Sequence, residues 1–221
     1  PGIGPYIFNH HNTHTFNYDM QLLNDYCKKR NEIEATQKNF IIFHLYGQHA
    51  TYSERYPTEF AKFKACNIKS QLPLSKEQRS VVANYLNAIR YNDFVVDSII
   101  SMFSNRDAIV MYFSDHGEEV YNYRLQQGRT DLKNDDLRAM HHQLDIPFLI
   151  YVSPRYAAKH PQVVKSISKS VNRPFMTDNL PQVIFDLLGV HTRYYNPSRS
   201  VINERYHPQY KRKLQVGKVY H

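Results

Sequence analysis

The stretch from Asp107 to Tyr121, DAIVMYFSDHGEEVY, constrains the fold more than any other part of the chain. Its first half, Asp107 to Ser114, is aliphatic and aromatic with almost no charge, the composition of a fully buried strand. The run stops abruptly at Asp115-His116-Gly117-Glu118. A buried strand ending in an Asp-His pair sets a carboxylate and an imidazole at the carboxyl edge of a sheet, where open α/β sheets bind ligands. Gly117 lets the backbone turn away, so that both side chains can face one spot. One oxygen donor beside one nitrogen donor suits zinc or manganese. The plainer reading is a strand-to-loop turn whose Asp merely caps the adjoining backbone. The rest of the chain decides between the two.

Residues 39–46, NFIIFHLY, read as a second buried strand, and this one also runs into a polar turn, Gly47-Gln48-His49. Between the two strands Ser75 and Gln78 form a capping box. Val82, Tyr85, Leu86, Ile89, Val96, Ile99, Ile100 and Phe103 come next at helical spacing, which predicts one buried stripe ending near Ser104-Asn105. Strand, helix, strand in that order is a crossover unit and implies parallel strands. Asp145 to Val152 is a third strand, with Pro147 marking an edge or a bend. Helices are predicted over Tyr18 to Lys29, Tyr156 to Ser170 and Asn179 to Leu188, the last closed by Gly189. Tyr121 to Asp145 is polar and reads as a long loop over the sheet edge, and loops of that length tend to be functional.

Residues 1–16, which include His10, His11 and His14, and residues 192–221 read as largely irregular. No repeat or domain-sized linker interrupts the rest, so residues 1–221 are expected to form a single domain. A chain beginning at Pro1 rather than Met reads as a processed product or a piece cut from something longer. Mean hydropathy is -0.61, and no apolar run reaches the roughly 18 residues of a membrane span, so a water-soluble piece without a signal peptide is expected. The formal net charge of +8 admits nucleic acid, anionic lipid or a phosphorylated substrate as partner. The charges are scattered, apart from short groups such as Lys28-Lys29-Arg30 and Lys211-Arg212-Lys213, and no nucleic-acid-binding motif accompanies them. A solvated basic surface is therefore expected, and no nucleic-acid partner. Cys27 and Cys66 allow one disulfide or none.

Metal-type side chains thus come after two strands, His49 after one and Asp115 with His116 after the other, while His141 and His142 precede a third. Parallel neighbours would bring these ends together. The segments FHLYGQHATYSERYP, YLNAIRYNDFVVDSII, YFSDHGEEVY and DIPFLIYVSP resemble, in this order, those of lipid A phosphoethanolamine transferases. These belong to the sulfatase and alkaline-phosphatase-like superfamily, and the mobile colistin-resistance enzymes are similar. The likeness runs from about Tyr18 to Gly189, and NLPQVIFDLLGV resembles the helix that ends many sulfatase-type domains.

The resemblance implies a three-layer α/β/α sandwich around a mostly parallel sheet, present here in part. It implies that Asp115 and His116 hold a catalytic zinc, with manganese the alternative, and that His49 lines a second metal or the transferred phosphate. Family members carry a further histidine in the loop after Asp-His-Gly-Glu, often following a glycine; here that place reads Gly128-Arg129. The role is lost, is met by Arg129 binding phosphate, or falls to His141 or His142, with His142 preferred. The family's metal-binding glutamate and nucleophilic threonine, and its membrane helices, would all precede this sequence. Thr13 and Thr15 sit in the wrong context for that nucleophile.

The implied reaction moves phosphoethanolamine from a phospholipid donor, through a phospho-threonine, to a lipid A or glycan acceptor. The intact protein would sit in the inner membrane with its catalytic domain in the periplasm, and this chain alone would be inert. The rivals are a sulfatase or phosphodiesterase on the same fold and a non-catalytic module that binds metal or anionic glycans. The Arg55-Tyr56-Pro57 context favours the transferase.

Overall fold

The computed structural model describes residues 18–34, 36–207, 212–213, 217 and 219–220. The longer helices are α1 (Asp19–Ile33), α2 (Lys76–Phe103), α3 (Leu137–Leu144), α4 (Pro154–Lys159), α5 (Pro161–Ser170) and α6 (Leu180–Leu188). The strands are β1 (Ile109–Phe113), β2 (Glu119–Val120), β3 (Gln127–Gly128), β4 (Phe148–Val152), β5 (Arg212–Lys213) and β6 (Val219–Tyr220). Two compact units emerge: Pro1–Ile99 with Glu119–Gly128, and Ile100–Glu118 with Arg129–His221. No described helix is long and apolar enough to cross a membrane.

In the first unit α2 starts as its sequence dictates. Ser75 accepts from the amide of Gln78 on its hydroxyl, and Gln78 returns the bond to the amide of Ser75 at 2.9 Å. The buried face of the helix is not the expected stripe. Of the eight apolar residues predicted to line it, Ile99 alone belongs to the fully buried set, which otherwise holds Ala83, Asn87, Ala88, Tyr91, Asn92 and Val95. Small residues and amides face inward because the helix packs against a loop with its own backbone needs. Asn87 accepts from the amide of Phe63 at 2.8 Å and donates to the carbonyl of the same residue at 3.0 Å. Tyr91 meets Phe60 at 4.8 Å and Tyr18 at 5.9 Å between ring centroids, and its hydroxyl accepts from the amide of Met20.

Residues 39–46 are extended but form no strand, and this corrects the second-strand expectation. Ile41, Phe43 and Leu45 are half-buried, and Phe43 packs edge-on to Tyr26 of α1 at 5.1 Å. Phe40 and Ile42 on the other face are 63% and 74% exposed. Alternation alone cannot make a strand; a ladder partner must supply the hydrogen bonds.

In the second unit β1 pairs with β4 antiparallel, Ile109 opposite Val152 and Phe113 opposite Phe148. The strands described therefore show no parallel ladder, and β1 is half-buried rather than fully buried. One core forms around Val183, Val201 and Ile202, with Met111, Phe148 and Ile150 packed on it. The buried Ser153 hydroxyl caps α4, accepts from the amide of Ala108 and donates to the carbonyl of Arg106 at 2.6 Å, tying the entry of β1 to the exit of β4. The helix predicted over Tyr156 to Ser170 is broken at His160, because Pro161 denies the amide that a continuous helix needs. The expected helix at the end of the domain forms as α6, and Gly189 closes it in the left-handed conformation at φ 63°.

The expected long loop from Tyr121 to Asp145 contains structure. The β2–β3 hairpin opens it, Glu119 opposite Gly128, and α3 closes it. Asp136 caps α3 by accepting from the amide of Ala139 at 2.8 Å, and Ala139, Met140 and Gln143 form its buried face. His10, His11, His14, Thr13 and Thr15 lie outside the described residues. Cys27 and Cys66 are both exposed and free.

Candidate metal centre

Asp115 and His116 stand where β1 ends. His116 donates through Nδ1 to the carbonyl of Gly117 at 2.8 Å, since a carbonyl can only accept. That bond orients the ring and leaves Nε2 as the position with a lone pair in the neutral imidazole. Asp115 Oδ1 accepts from the amide of His116 at 3.0 Å, which holds the carboxylate over its neighbour. Asp115 Oδ2 and His116 Nε2 are then 3.6 Å apart. Two donors at about 2.1 Å from one tetrahedral ion stand about 3.4 Å from each other, so the pair spans one edge of such a site. The side chain of Asp115 is 86% exposed and that of His116 31%, so both donors can be reached.

The donor pair therefore fits zinc in type, spacing and orientation. It supplies two ligands. Among the described residues no group of three or more His, Cys, Asp or Glu side chains gathers into a metal site. The fit is that of an incomplete site.

Gly117 has a reason different from the sharp turn expected of it. Its φ is not positive. A Cβ on Gly117 would lie 2.5 Å from the carbonyl oxygen of His142 and 3.0 Å from that of Asp145. The Asp-His-Gly turn is thus pressed against the C-terminal end of α3, the segment that carries His141 and His142. Here His141 donates through Nδ1 to Asp145 at 2.8 Å, while the neighbouring His142 is half-buried. Gln143, 2% exposed, accepts on its side chain from the amide of Thr130, the residue after the exposed Arg129. The anchoring role of Gln143 is not apparent in the sequence, where the Asp136 cap with Met140 and Gln143 at helical spacing is the signal for the helix that presents it.

His49 lies in the first unit, shortly after residues 39–46. Its imidazole is exposed and donates through Nδ1 to the carbonyl of Ala50 at 3.1 Å.

The sulfatase family model matches residues 5–190, and the chain belongs to that family. It is 35% identical over 196 residues to the phosphoethanolamine transferase EptC of Escherichia coli strain K12, covering 88% of this chain and 32% of the relative. It is 32% identical over 119 residues to the Kdo(2)-lipid A phosphoethanolamine 7''-transferase of the same organism, covering 54% of this chain and 20% of that one. The crystal structure of the C-terminal periplasmic domain of EptC from Escherichia coli in complex with Zn matches with a TM-score of 0.79 and 34% identity. That match covers 91% of this chain and 55% of the solved one. The fold is therefore the sulfatase, alkaline-phosphatase-like α/β fold, present in part. The chain spans about a third of the length of the first of these relatives.

Proposed function

We propose that this chain is the part of a phosphoethanolamine transferase that carries the Asp-His half of its zinc site. The protein would move phosphoethanolamine from a phospholipid to an anionic lipid or glycan acceptor of the lipid A type. The observation that carries the reading is the Asp115 Oδ2 to His116 Nε2 spacing of 3.6 Å at the end of β1, in a chain of the sulfatase family. Asp115 and His116 would hold zinc, or manganese by the same donor chemistry. Zinc held there by Asp115 and His116 would supply Lewis-acid polarisation of a phosphoryl oxygen and a lowered pKa for a hydroxyl nucleophile.

Other residues of the chain would orient the ligand and the phosphoryl group. The Gly117 carbonyl keeps the Nδ1 proton of His116 and so leaves Nε2 to the metal. Arg129, exposed directly after β3 in the chain, offers a planar fork of donors to phosphoryl oxygens. His142, or His141 with its Asp145 partner, would donate a proton to the leaving oxygen or accept the proton of the attacking hydroxyl. His49 would stabilise charge on the phosphoryl oxygens through Nε2. A net charge of +8 suits anionic head groups, in keeping with a catalytic domain on the periplasmic side of the inner membrane.

Two protein donors fall short of the three or four that zinc takes. The 221-residue chain is therefore proposed to bind zinc weakly and to transfer nothing alone. The test is zinc content and transfer from a fluorescent phosphoethanolamine lipid, for the full-length protein and its Asp115→Ala and His116→Ala variants. Loss of zinc and of transfer together is expected. Unchanged zinc stoichiometry in both variants overturns the assignment. Release of free phosphoethanolamine with no labelled acceptor would make the protein a hydrolase.

A further inference from the structure

We infer that Asp19 is a positioning residue for His49: its carboxylate clamps the turn from which the imidazole projects. The inference rests on the phosphoryl-binding role proposed for His49.

Asp19 is the first residue of α1, where a carboxylate ordinarily complements the positive end of the helix dipole. Here both its oxygens are committed elsewhere. Oδ1 accepts from the amide of Tyr46 and Oδ2 from the amide of Gly47, each at 2.9 Å, from 27 and 28 residues further along the chain. The helix itself has Tyr18 at its N-cap and receives no side-chain cap. Charge-assisted bonds to two successive amides fix the orientation of both peptide planes.

The turn needs that constraint. Gly47 adopts the left-handed conformation at φ 54°, and glycine is the residue with the widest choice of alternatives. The amide of His49 donates to the carbonyl of Tyr46 at 3.1 Å, so the turn closes directly on the residue whose amide Asp19 holds. The surroundings then orient the ring. His49 stands edge-on to Tyr46 at 6.0 Å, and the Arg55 guanidinium lies 4.6 Å from the Tyr46 ring centroid. Arg55 also donates to the carbonyl of Ala50, the same oxygen that takes the His49 Nδ1 proton. The imidazole is thus tied to a small frame, Tyr46, Ala50 and Arg55, whose backbone Asp19 anchors to α1. With Nδ1 bound to Ala50 and the residue exposed, Nε2 is the ring nitrogen left for a ligand.

Asparagine is the informative replacement. It keeps the volume of Asp19 but offers one acceptor oxygen, and its amino group meets the second backbone N–H donor to donor. The experiment is a double-mutant cycle in the full-length protein, with transfer of phosphoethanolamine from a fluorescent lipid as readout. Asp19→Asn is expected to lower kcat about tenfold with KM within about twofold, because misplacement of a group in the transition state is felt in kcat. In the His49→Ala background the same substitution is expected to cost less than about twofold, since the group that Asp19 positions is gone. Asp19→Glu, which restores two acceptor oxygens, is expected to recover most of the rate; Asp19→Ser, which keeps one acceptor without the amino group, carries the cycle if the Asn variant does not fold. Equal losses in both backgrounds would make Asp19 a structural residue only and overturn the inference. A His49→Ala enzyme with the wild-type rate would instead remove the role proposed for His49, an outcome the cycle reads separately.

Discussion

The amide of Gly117 donates to the carbonyl of Gln143 at 2.9 Å and binds the Asp-His-Gly turn to the end of α3. A Cβ at position 117 would meet backbone rather than a flexible side chain, 2.5 Å from the oxygen of His142. Gly117→Ala must therefore push the turn and α3 apart. Overpacking of this kind costs about 1–3 kcal/mol. The expected outcome is a lower urea midpoint together with weaker zinc binding, because the carbonyl of Gly117 also holds the Nδ1 proton of His116. Unchanged stability and zinc affinity would show that the close approach is absent in solution.

The three candidates for the loop role separate by chemistry. Arg129 has a fixed charge, so Arg129→Ala should weaken substrate binding at every pH. The His141 ring already donates to Asp145, so Asp145→Asn should alter the pH dependence of the rate if His141 is the active base or acid. His142→Ala should lower kcat by about 100-fold if His142 transfers the proton, the usual size of such a contribution. Rates of Arg129→Ala, His142→Ala and Asp145→Asn across pH 5 to 9 identify the group. A normal pH–rate profile in His142→Ala with a changed one in Asp145→Asn would move the role to His141.

What can be read in the sequence is local. The α2 capping box and the Gly189 closure need only neighbours a few residues away, and both form; the adjacency of Asp115 and His116 at the end of β1 is likewise local. The inward face of α2 is hidden because Asn87 and Asn92 look like surface residues. Asn87 is buried only because the backbone of Phe63 supplies partners to its amide. The extended segment at 39–46 carries the apolar pattern of a strand, yet pairing is a long-range event that composition does not encode. Likewise nothing in the order of residues reveals that His142 abuts Gly117; the close approach exists only once α3 has formed.

The exposed apolar side of residues 39–46 predicts a solution property. An apolar side of this kind, with Phe40 and Ile42 largely exposed, is a surface on which another copy of the chain can pack. Ile42→Lys places a charge on that side without touching Phe43, which packs on α1. Sedimentation of the 221-residue chain over a range of concentrations should show less self-association for the variant. Its unfolding free energy should shift by no more than about 0.5 kcal/mol, as for an exposed substitution. Self-association equal to that of the parent chain would place the sticky surface elsewhere.

Tyr195 couples the stability of the second unit to alkaline pH. Burial, and then the hydrogen bond that its hydroxyl donates to Asp186 on α6, push its pKa from 10.0 up to about 12. Asn203 completes the cluster, donating to both oxygens of Asp186 at 3.1 Å and to the Tyr195 hydroxyl at 3.0 Å. A phenol whose folded pKa lies above its unfolded one stabilises the fold fully below pH 10. That contribution drains away as pH rises from 10.0 through about 12, where the folded state also loses its proton. Tyr195→Phe deletes the donor and leaves Asn203 on the Asp186 carboxylate, at a cost of about 1.5–3 kcal/mol for a hydrogen bond to a charged group. Urea unfolding at pH 8 should show that loss. The fall in stability between pH 10 and 12 should be shallower in Tyr195→Phe than in the parent, so the two curves approach each other as pH rises. Parallel curves over that range would mean that Tyr195 does not titrate differently in the folded and unfolded chain.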